Sequence, residues 1–350
     1  MSVVEKNEKF IIIDELKYFG NRMKPELFKI LGKFVTDSQF SGNGRKRKIE
    51  ETSVVEDKMV EVAKLVEKSK VFNEKLEISD NNLEARQLAK KILETAPLRF
   101  PMSSEQIVDI TKDSTFSSLF CNNMISNWIR NPTDVSKILK SERSYLIPPN
   151  STFHIGDVTD VVQYSKIQNI KFDLVIADPP WINKSVKRKK TYEMNETILE
   201  DLELGDIVDD NCLVAFWITN RSGIREEVRT LFEKWNLKLI GEWKWLKVTQ
   251  SGSPVYGFTN STHKLPYEVI VFATRPTNTS FSEFPKDLVF SSVPMAVHSH
   301  KPPIVDILKE FGYKFERCLE LFARNLLSNF TSVGFETLLL QSDFVYNGIE

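Results

Sequence analysis

From about Tyr145 onward, short apolar runs alternate with polar segments along the chain. Phe172-Asp173-Leu174-Val175-Ile176-Ala177 has the character of a strand buried on both faces. The runs at 212–219 (CLVAFWIT), 267–273 (YEVIVFA) and 318–322 (CLELF) repeat it, and 337–340 predicts a last strand. Between them, apolar residues at helical spacing predict helices over 224–235 and 302–311. The second has Pro302 and Pro303 near its start and Gly312 just past its end. Strands alternating with helices predict an α/β domain whose mostly parallel sheet is covered on both faces. In such sheets ligands sit beyond the carboxyl ends of the strands, so chemistry is expected just after those runs.

The residues before that point have a different texture. The segment 54–91 is rich in Glu, Lys, Leu and Val at helical spacing, for example Val60, Ala63, Leu65 and Val66. A further helix is predicted over 104–110, with Ser104 as its cap. The polar stretch Phe40-Ser41-Gly42-Asn43-Gly44-Arg45-Lys46-Arg47-Lys48 reads as a mobile loop. The pattern therefore predicts a mainly helical accessory region over 1–145, with a mobile basic stretch near 40–50, and an α/β domain over 146–350. No internal repeat is evident.

Composition narrows the picture only a little. A chain of 350 residues is long enough for one large domain with an accessory region. Its formal net charge of -1 means that any nucleic-acid surface must gather basic residues locally. Cys121, Cys212 and Cys318 lie far apart and form no CxxC pair, which argues against a disulfide framework or zinc ribbon and suits a reducing compartment. The charged start MSVVEKNEKF is unlike a signal peptide, and no apolar run approaches the roughly 18 residues of a membrane span. A soluble intracellular protein is expected. His154, His263, His298 and His300 lack metal-ligand spacing with Cys or carboxylate partners, so no metal is expected.

The strand at 172–177 empties directly into Asp178-Pro179-Pro180-Trp181. This sets a carboxylate, a stiff backbone and a large aromatic at the mouth of the sheet. The types suit a planar heterocycle carrying an exocyclic amine, whose lone pair is delocalised into the ring. Asp178 can accept one amine hydrogen and a carbonyl between the prolines the other, letting the nitrogen pyramidalise toward an electrophile. The two prolines fix the backbone and leave carbonyls without a neighbouring N–H. Trp181 offers a face on which an extruded base can stack. A plain proline turn with a half-buried Trp would give the same four residues.

The segment 176–192, IADPPWINKSVKRKKTY, resembles the DPPW region of the mRNA adenosine-N6-methyltransferase (MT-A) family, in the branch called methyltransferase-like protein four. The resemblance runs over most of 146–340. It takes in LIPPNS (146–151), WITNR (217–221), EWKWLKVTQSG (242–252), HKLPYE (263–268), HSHKPP (298–303) and ELFARN (320–325). It implies a Rossmann-like class I methyltransferase fold and S-adenosyl-L-methionine as cofactor. It also implies N6-methylation of adenine in RNA, with 2′-O-methyladenosine of small nuclear RNA as one target and DNA adenine as the alternative.

The same resemblance implies site residues. Asp157-Val158 corresponds to a pair that meets the cofactor's adenine, and Ser299 and Lys301 to residues facing the donor's methionine end. A lysine and a helix N-terminus both suit a carboxylate. Without the family, Lys301 reads equally as a surface lysine before a proline. Arg324 matches a ribose contact, with Asn325 beside it. Gly334-Phe335-Glu336 keeps the glycine and glutamate of a Gly-Asn-Glu element but carries Phe in place of Asn, which puts one polar contact in doubt. Asp178, Pro179, Pro180 and Trp181 correspond to the catalytic tetrapeptide, with Asp178 also beside the cofactor.

After Trp181 come Asn183, Lys184, Lys187, Arg188, Lys189, Lys190 and then Tyr192. Adjacent to the tetrapeptide, this run suggests a phosphate-gripping loop, against the bland alternative of a solvated charge run. Asn220 and Arg221, at the end of another strand, are candidate partners for the target nucleotide. Trp243 and Trp245 share a strand face and are either a stacking surface or core. Arg45-Lys46-Arg47-Lys48 is either a nuclear-import signal, a phosphate contact or a bland tail. A monomeric enzyme with a nucleic-acid partner, RNA ahead of DNA, is expected in the nucleus, with the cytoplasm as the alternative. The rivals are a catalytically silent RNA-binding scaffold, which Phe335 favours, and a protein-amide methyltransferase, whose tetrapeptide is Asn-Pro-Pro-Tyr rather than the one here.

Overall fold

The computed structural model describes residues 2–15, 18, 54–69, 107–115, 128–181, 198–249, 251–258, 265–294, 300–343 and 345. Its elements begin with β1 (Val3–Lys6), β2 (Ile11–Ile13), α1 (Val54–Lys68), β3 (Ile107–Asp109), β4 (Ser114–Thr115), β5 (Trp128–Asn131) and β6 (Lys137–Lys140). There follow β7 (Ser144–Ile147), β8 (Ser151–His154), α2 (Asp160–Gln168), β9 (Phe172–Ala177), α3 (Ile198–Asp201), α4 (Leu204–Ile207) and β10 (Val208–Ile218). The last are α5 (Ile224–Lys234), β11 (Lys238–Lys247), β12 (Tyr267–Thr274), β13 (Asp287–Ser292), α6 (Val305–Glu310), β14 (Cys318–Leu321) and β15 (Phe330–Val333).

One 12-stranded sheet organises them, in the order β1-β2-β13-β11-β12-β10-β9-β14-β15-β8-β5-β3; β4, β6 and β7 form a small separate sheet. At the centre β10, β9, β14, β15 and β8 run parallel. β12 lies antiparallel between β10 and β11. The carboxyl ends of β8, β15, β14, β9, β10 and β11 therefore share one margin with the amino end of β12. This is the mostly parallel α/β, Rossmann-like arrangement that the alternating pattern predicts.

Both sheet faces are covered, which is why the central strands are apolar throughout. On one face Val175, Ala177, Val214 and Phe216 pack with Val158 and Val161 near and in α2, with Val228 and Phe232 of α5, and with Met59 and Val66 of α1. On the other, Leu174, Ile176, Trp217, Trp243 and Trp245 pack with Ile307 and Leu308 of α6. Alternation along β9 thus assigns Asp178, two residues past Ile176, to the second face. β10 turns into α5 through Gly223 at φ 81, a left-handed conformation in which a side chain is strained although nothing within 4 Å would oppose a Cβ.

Three expectations need correction. The run 337–340 is not a strand: it forms turns, with Leu338 and Leu340 buried, and the last strand is β15. A four-residue apolar run is as compatible with a buried turn as with a strand. Residues 107–109 are strand rather than helix, paired with β5, as β-branched Ile107 and Val108 favour. Nor does the sheet stop at the expected boundary near 145. β1 and β2 extend it on one side through β13, and β5 and β3 on the other through β8. Of the predicted helix over 54–91, α1 is present and the rest lies outside the described residues, as does the basic stretch near 40–50.

Candidate active site

At the carboxyl margin the side chains predicted from different parts of the sequence come together. Asp178 leaves β9 half-buried, with Oδ2 3.2 Å from Arg324 Nη1 and 3.4 Å from Lys301 Nζ. Arg324, just beyond β14, also binds Glu336 beyond β15, Nε to Oε2 at 3.0 Å. Lys301 Nζ lies 2.5 Å from Glu268 Oε2, and Lys247 Nζ binds the other oxygen of Glu268. Lys247, Glu268, Lys301, Asp178, Arg324 and Glu336 thus form a row of alternating charges along the strand ends. Each anion sits between or beside cations, so the row is close to neutral.

The tetrapeptide is built differently from the expectation. Pro179 O accepts the Trp181 N–H at 2.8 Å, a tight turn that uses one of its two lone pairs. The carbonyl keeps one acceptor direction rather than being wholly unpaired. Trp181 is 5% exposed, packed in the core, and donates its indole N–H to Trp217 O at 2.7 Å. Its ring is therefore a wedge that fixes the Asp-Pro-Pro turn against β10, not an open face for a base. Trp243 is likewise core. It is fully buried among Phe272, Phe284 and Phe290, with Nε1 donating to Pro285 O at 2.7 Å. A large aromatic on a strand buried on both faces has no route to solvent.

The loop after β8 holds Asp157, whose Oδ1 accepts Thr159 N at 2.9 Å and Thr159 Oγ1 at 2.7 Å and so shapes the entry to α2. Val158, in the loop just before α2, is 2% exposed and its side chain packs in the core beside Val161 of the helix. Gly156 lets this loop pass close to His154: a Cβ there would lie 2.3 Å from His154 Nε2. Asn325 is half-buried beside Arg324. Phe335 is 41% exposed next to Glu336. Asn220 and Arg221 are exposed at the end of β10, with Arg221 held by Glu227 of α5. Ser299, Asn183, Lys184, Lys187, Arg188 and Tyr192 lie outside the described residues.

Sequence reasoning missed Glu320, Glu268 and Lys247. Glu320 Oε2 is shielded from solvent and has no hydrogen-bond partner among the described residues; nor has Ser332 Oγ, its register neighbour across β14–β15. Burial first, then the negative charge of Asp178, push the Glu320 carboxyl up to about 8 against the pull of Arg324, so it holds its proton at neutral pH. The signal was a lone carboxylate inside the apolar run CLELF. For Glu268 and Lys247 no signal existed, because their position depends on an antiparallel strand inserted between two parallel ones.

This margin offers a lysine for a carboxylate and buried carboxyl oxygens for cationic groups. A family model described as MT-A70 matches residues 172–336. A Caenorhabditis elegans protein named "DNA N6-methyl methyltransferase" is 44% identical over 356 residues, covering 96% of this chain and 97% of that one. The chain belongs to the MT-A70 family. Human "N(6)-adenine-specific methyltransferase METTL4" is 33% identical over 231 residues, 61% of this chain and 47% of its own length. "N6-methyladenosine RNA methyltransferase MTA1" of Pyricularia oryzae is 32% identical over 209 residues, 56% of this chain and 55% of its own. The chain thus spans about half the length of these two relatives. MT-A70 proteins are S-adenosylmethionine-dependent N6-adenine methyltransferases. The residues at the margin fit that donor: Lys301 suits its carboxylate, and the charged carboxylate of Asp178 suits its cationic groups. Among the described residues no group of His, Cys, Asp and Glu could hold a metal, and no helix is long and apolar enough to cross a membrane.

Proposed function

We propose that this MT-A70 chain methylates the N6 amine of an adenine presented at Asp178. The observation that carries the reading is Asp178 itself. It stands at the end of the central strand on a rigid Pro-Pro turn, held by Arg324 and Lys301 yet not fully buried. S-adenosylmethionine supplies the electrophilic methyl group. Asp178 accepts one amine hydrogen, and the remaining lone pair of Pro179 O accepts the other, so the nitrogen lone pair is turned out of the ring plane toward the methyl. The methylated, cationic nitrogen is acidic enough to lose its proton without a strong base. Lys301 holds the donor's carboxylate, and Arg324 with Glu336 flanks its nucleoside. The basic run 184–190 grips substrate phosphates.

The whole-length similarity to the Caenorhabditis elegans protein favours DNA adenine as substrate. RNA, including 2′-O-methylated adenosine of small nuclear RNA, is the second reading, favoured by the MTA1 relative. The sugar is distinguished by contacts to the 2′ position, so matched oligonucleotides decide between them. We infer a nuclear location, where both polymers are found; a fluorescent fusion excluded from nuclei would argue against it. The direct test is methyl transfer from labelled S-adenosylmethionine to DNA, RNA and 2′-O-methylated RNA of one sequence, with digestion to nucleosides. N6-methylated adenosine or deoxyadenosine from wild type alone, and none from Asp178→Ala, supports the reading. Donor binding without product from any polymer would instead favour a silent scaffold.

A further inference from the structure

Glu268 plays no part in the reading above, yet it is the most tightly held carboxylate at the margin. It follows Tyr267 at the start of β12 and faces Trp245 directly across the β11–β12 register. Its two oxygens are divided between two lysines, Lys247 on Oε1 and Lys301 on Oε2. Both ammonium groups lie over aromatic rings: Lys247 Nζ is 4.5 Å from the Trp245 ring centroid and Lys301 Nζ 5.3 Å from that of Trp217. Those two rings meet edge to face at 6.0 Å and are almost fully buried, so the surface under both ammonium groups is fixed. Burial opposes the charge on Glu268, but Lys301 and then Lys247 outweigh it and hold the carboxyl at about 2. Burial likewise opposes the charge on Lys301, and the carboxylates of Asp178 and Glu268 outweigh it, so the ammonium stays protonated.

An ammonium has three N–H donors and no preferred direction of its own. Glu268 takes one of them at 2.5 Å, and Asp178, the second anion, lies at 3.4 Å. With one N–H taken by Glu268, Asp178 beside the ammonium as an ion partner and the Trp217 ring beneath it, the ammonium is held in place to face an incoming anion. Lys247 cancels the charge of Glu268, so the clamp adds no net negative charge against an incoming anion. Without Glu268, the nearest anion left to Lys301 is Asp178, and the lysine would close on the carboxylate that is needed for the amine.

We propose that Glu268 is a positioning residue that aims Lys301 at the carboxylate of the bound ligand. The inference rests on the reading that this ligand is S-adenosylmethionine. Neither Glu268 nor Lys247 touches the ligand; they set the direction and charge of the group that does.

The test compares wild type, Glu268→Gln and Glu268→Asp by calorimetric titration with three probes. S-adenosylmethionine and S-adenosylhomocysteine carry the carboxylate; 5′-methylthioadenosine has the same nucleoside and sulfur without it. Losing one aimed, charged hydrogen bond is expected to weaken the first two by roughly tenfold to a hundredfold in Glu268→Gln. Methylthioadenosine should bind wild type and Glu268→Gln alike, which also reports that the variant is folded. Glu268→Asp, which keeps the charge on a shorter stem, should recover part of the loss. Equal weakening of all three probes, or of none, overturns the proposal. Wild type that binds none of the three would overturn the donor reading itself, a separate result, and the proposal with it.

Discussion

Replacing Glu320 by glutamine keeps the shape of the side chain and removes its proton site. In the folded protein the carboxyl stands at about 8, well above the ordinary glutamate value of about 4.5, because burial and the neighbouring Asp178 disfavour its charged form. The folded state therefore binds a proton over a pH window in which the unfolded chain does not. Under linkage, stability falls as pH rises from about 4.5 to about 8, with a limiting slope of about 1.4 kcal/mol per pH unit. Summed over the window this is on the order of 3–5 kcal/mol, a large share of an ordinary domain's stability. Glu320→Gln has no such window. Below about pH 4.5 the two proteins should be similarly stable, and by pH 8 the variant should be the more stable by a few kcal/mol. Denaturant midpoints for both, taken at pH 5, 6, 7 and 8, read the difference directly. Parallel curves would refute the assignment and mean that Glu320 is ionised or solvated in the folded protein.

Asp178→Asn should abolish methyl transfer while calorimetry still detects donor binding; retained turnover would remove Asp178 from the mechanism. Trp181→Phe deletes the indole donor to Trp217 O and leaves a buried carbonyl unpaired, so a loss of about 1–2 kcal/mol in denaturant stability is expected. An unchanged midpoint would argue that the ring is free for a base after all. Gly156→Ala sets a methyl against His154, which Asp160 holds at 3.0 Å and which stacks on Trp128 at 4.8 Å. A cost of about 1–3 kcal/mol is expected by thermal unfolding, and a neutral result would mean the loop yields. Lys187→Ala with Arg188→Ala should flatten the salt dependence of nucleic-acid binding by roughly one log–log unit per lost phosphate contact. An identical slope would make that basic run a bystander.

The parts of the molecule that were legible beforehand are those where one residue type has one physical use. A continuous apolar run ending in Asp178-Pro179-Pro180 is a buried strand meeting a rigid turn, and β9 is that strand. Pro302, Pro303 and Gly312 bracket α6 as expected. Where side chains have two uses the sequence was silent. Trp181 read as a stacking face for a base and Trp243 equally as platform or core, and burial by strands distant in the chain made both core. Glu268 gains its lysines only because β12 runs against its neighbours, a direction that no local pattern records. The short strands β2 and β5 join the sheet through β13, far along the chain, and through β8, and β1 and β3 join through them, so their texture alone suggested an appendage.

Those four strands carry a consequence for how the chain can be cut. β13 and β8 are the outermost strands formed after residue 146, and each is covered by a strand that comes before it, β2 on one side and β5 on the other. A fragment beginning at 146 would bare both margins at once, each with a row of unpaired N–H and C=O groups facing solvent. Bare edges of this kind recruit further strands, and two on one molecule allow open-ended, end-to-end stacking of copies. β1, β2, β3 and β5 thus act as selvedges on the woven sheet, and trimming them should leave a fragment that unravels into aggregates.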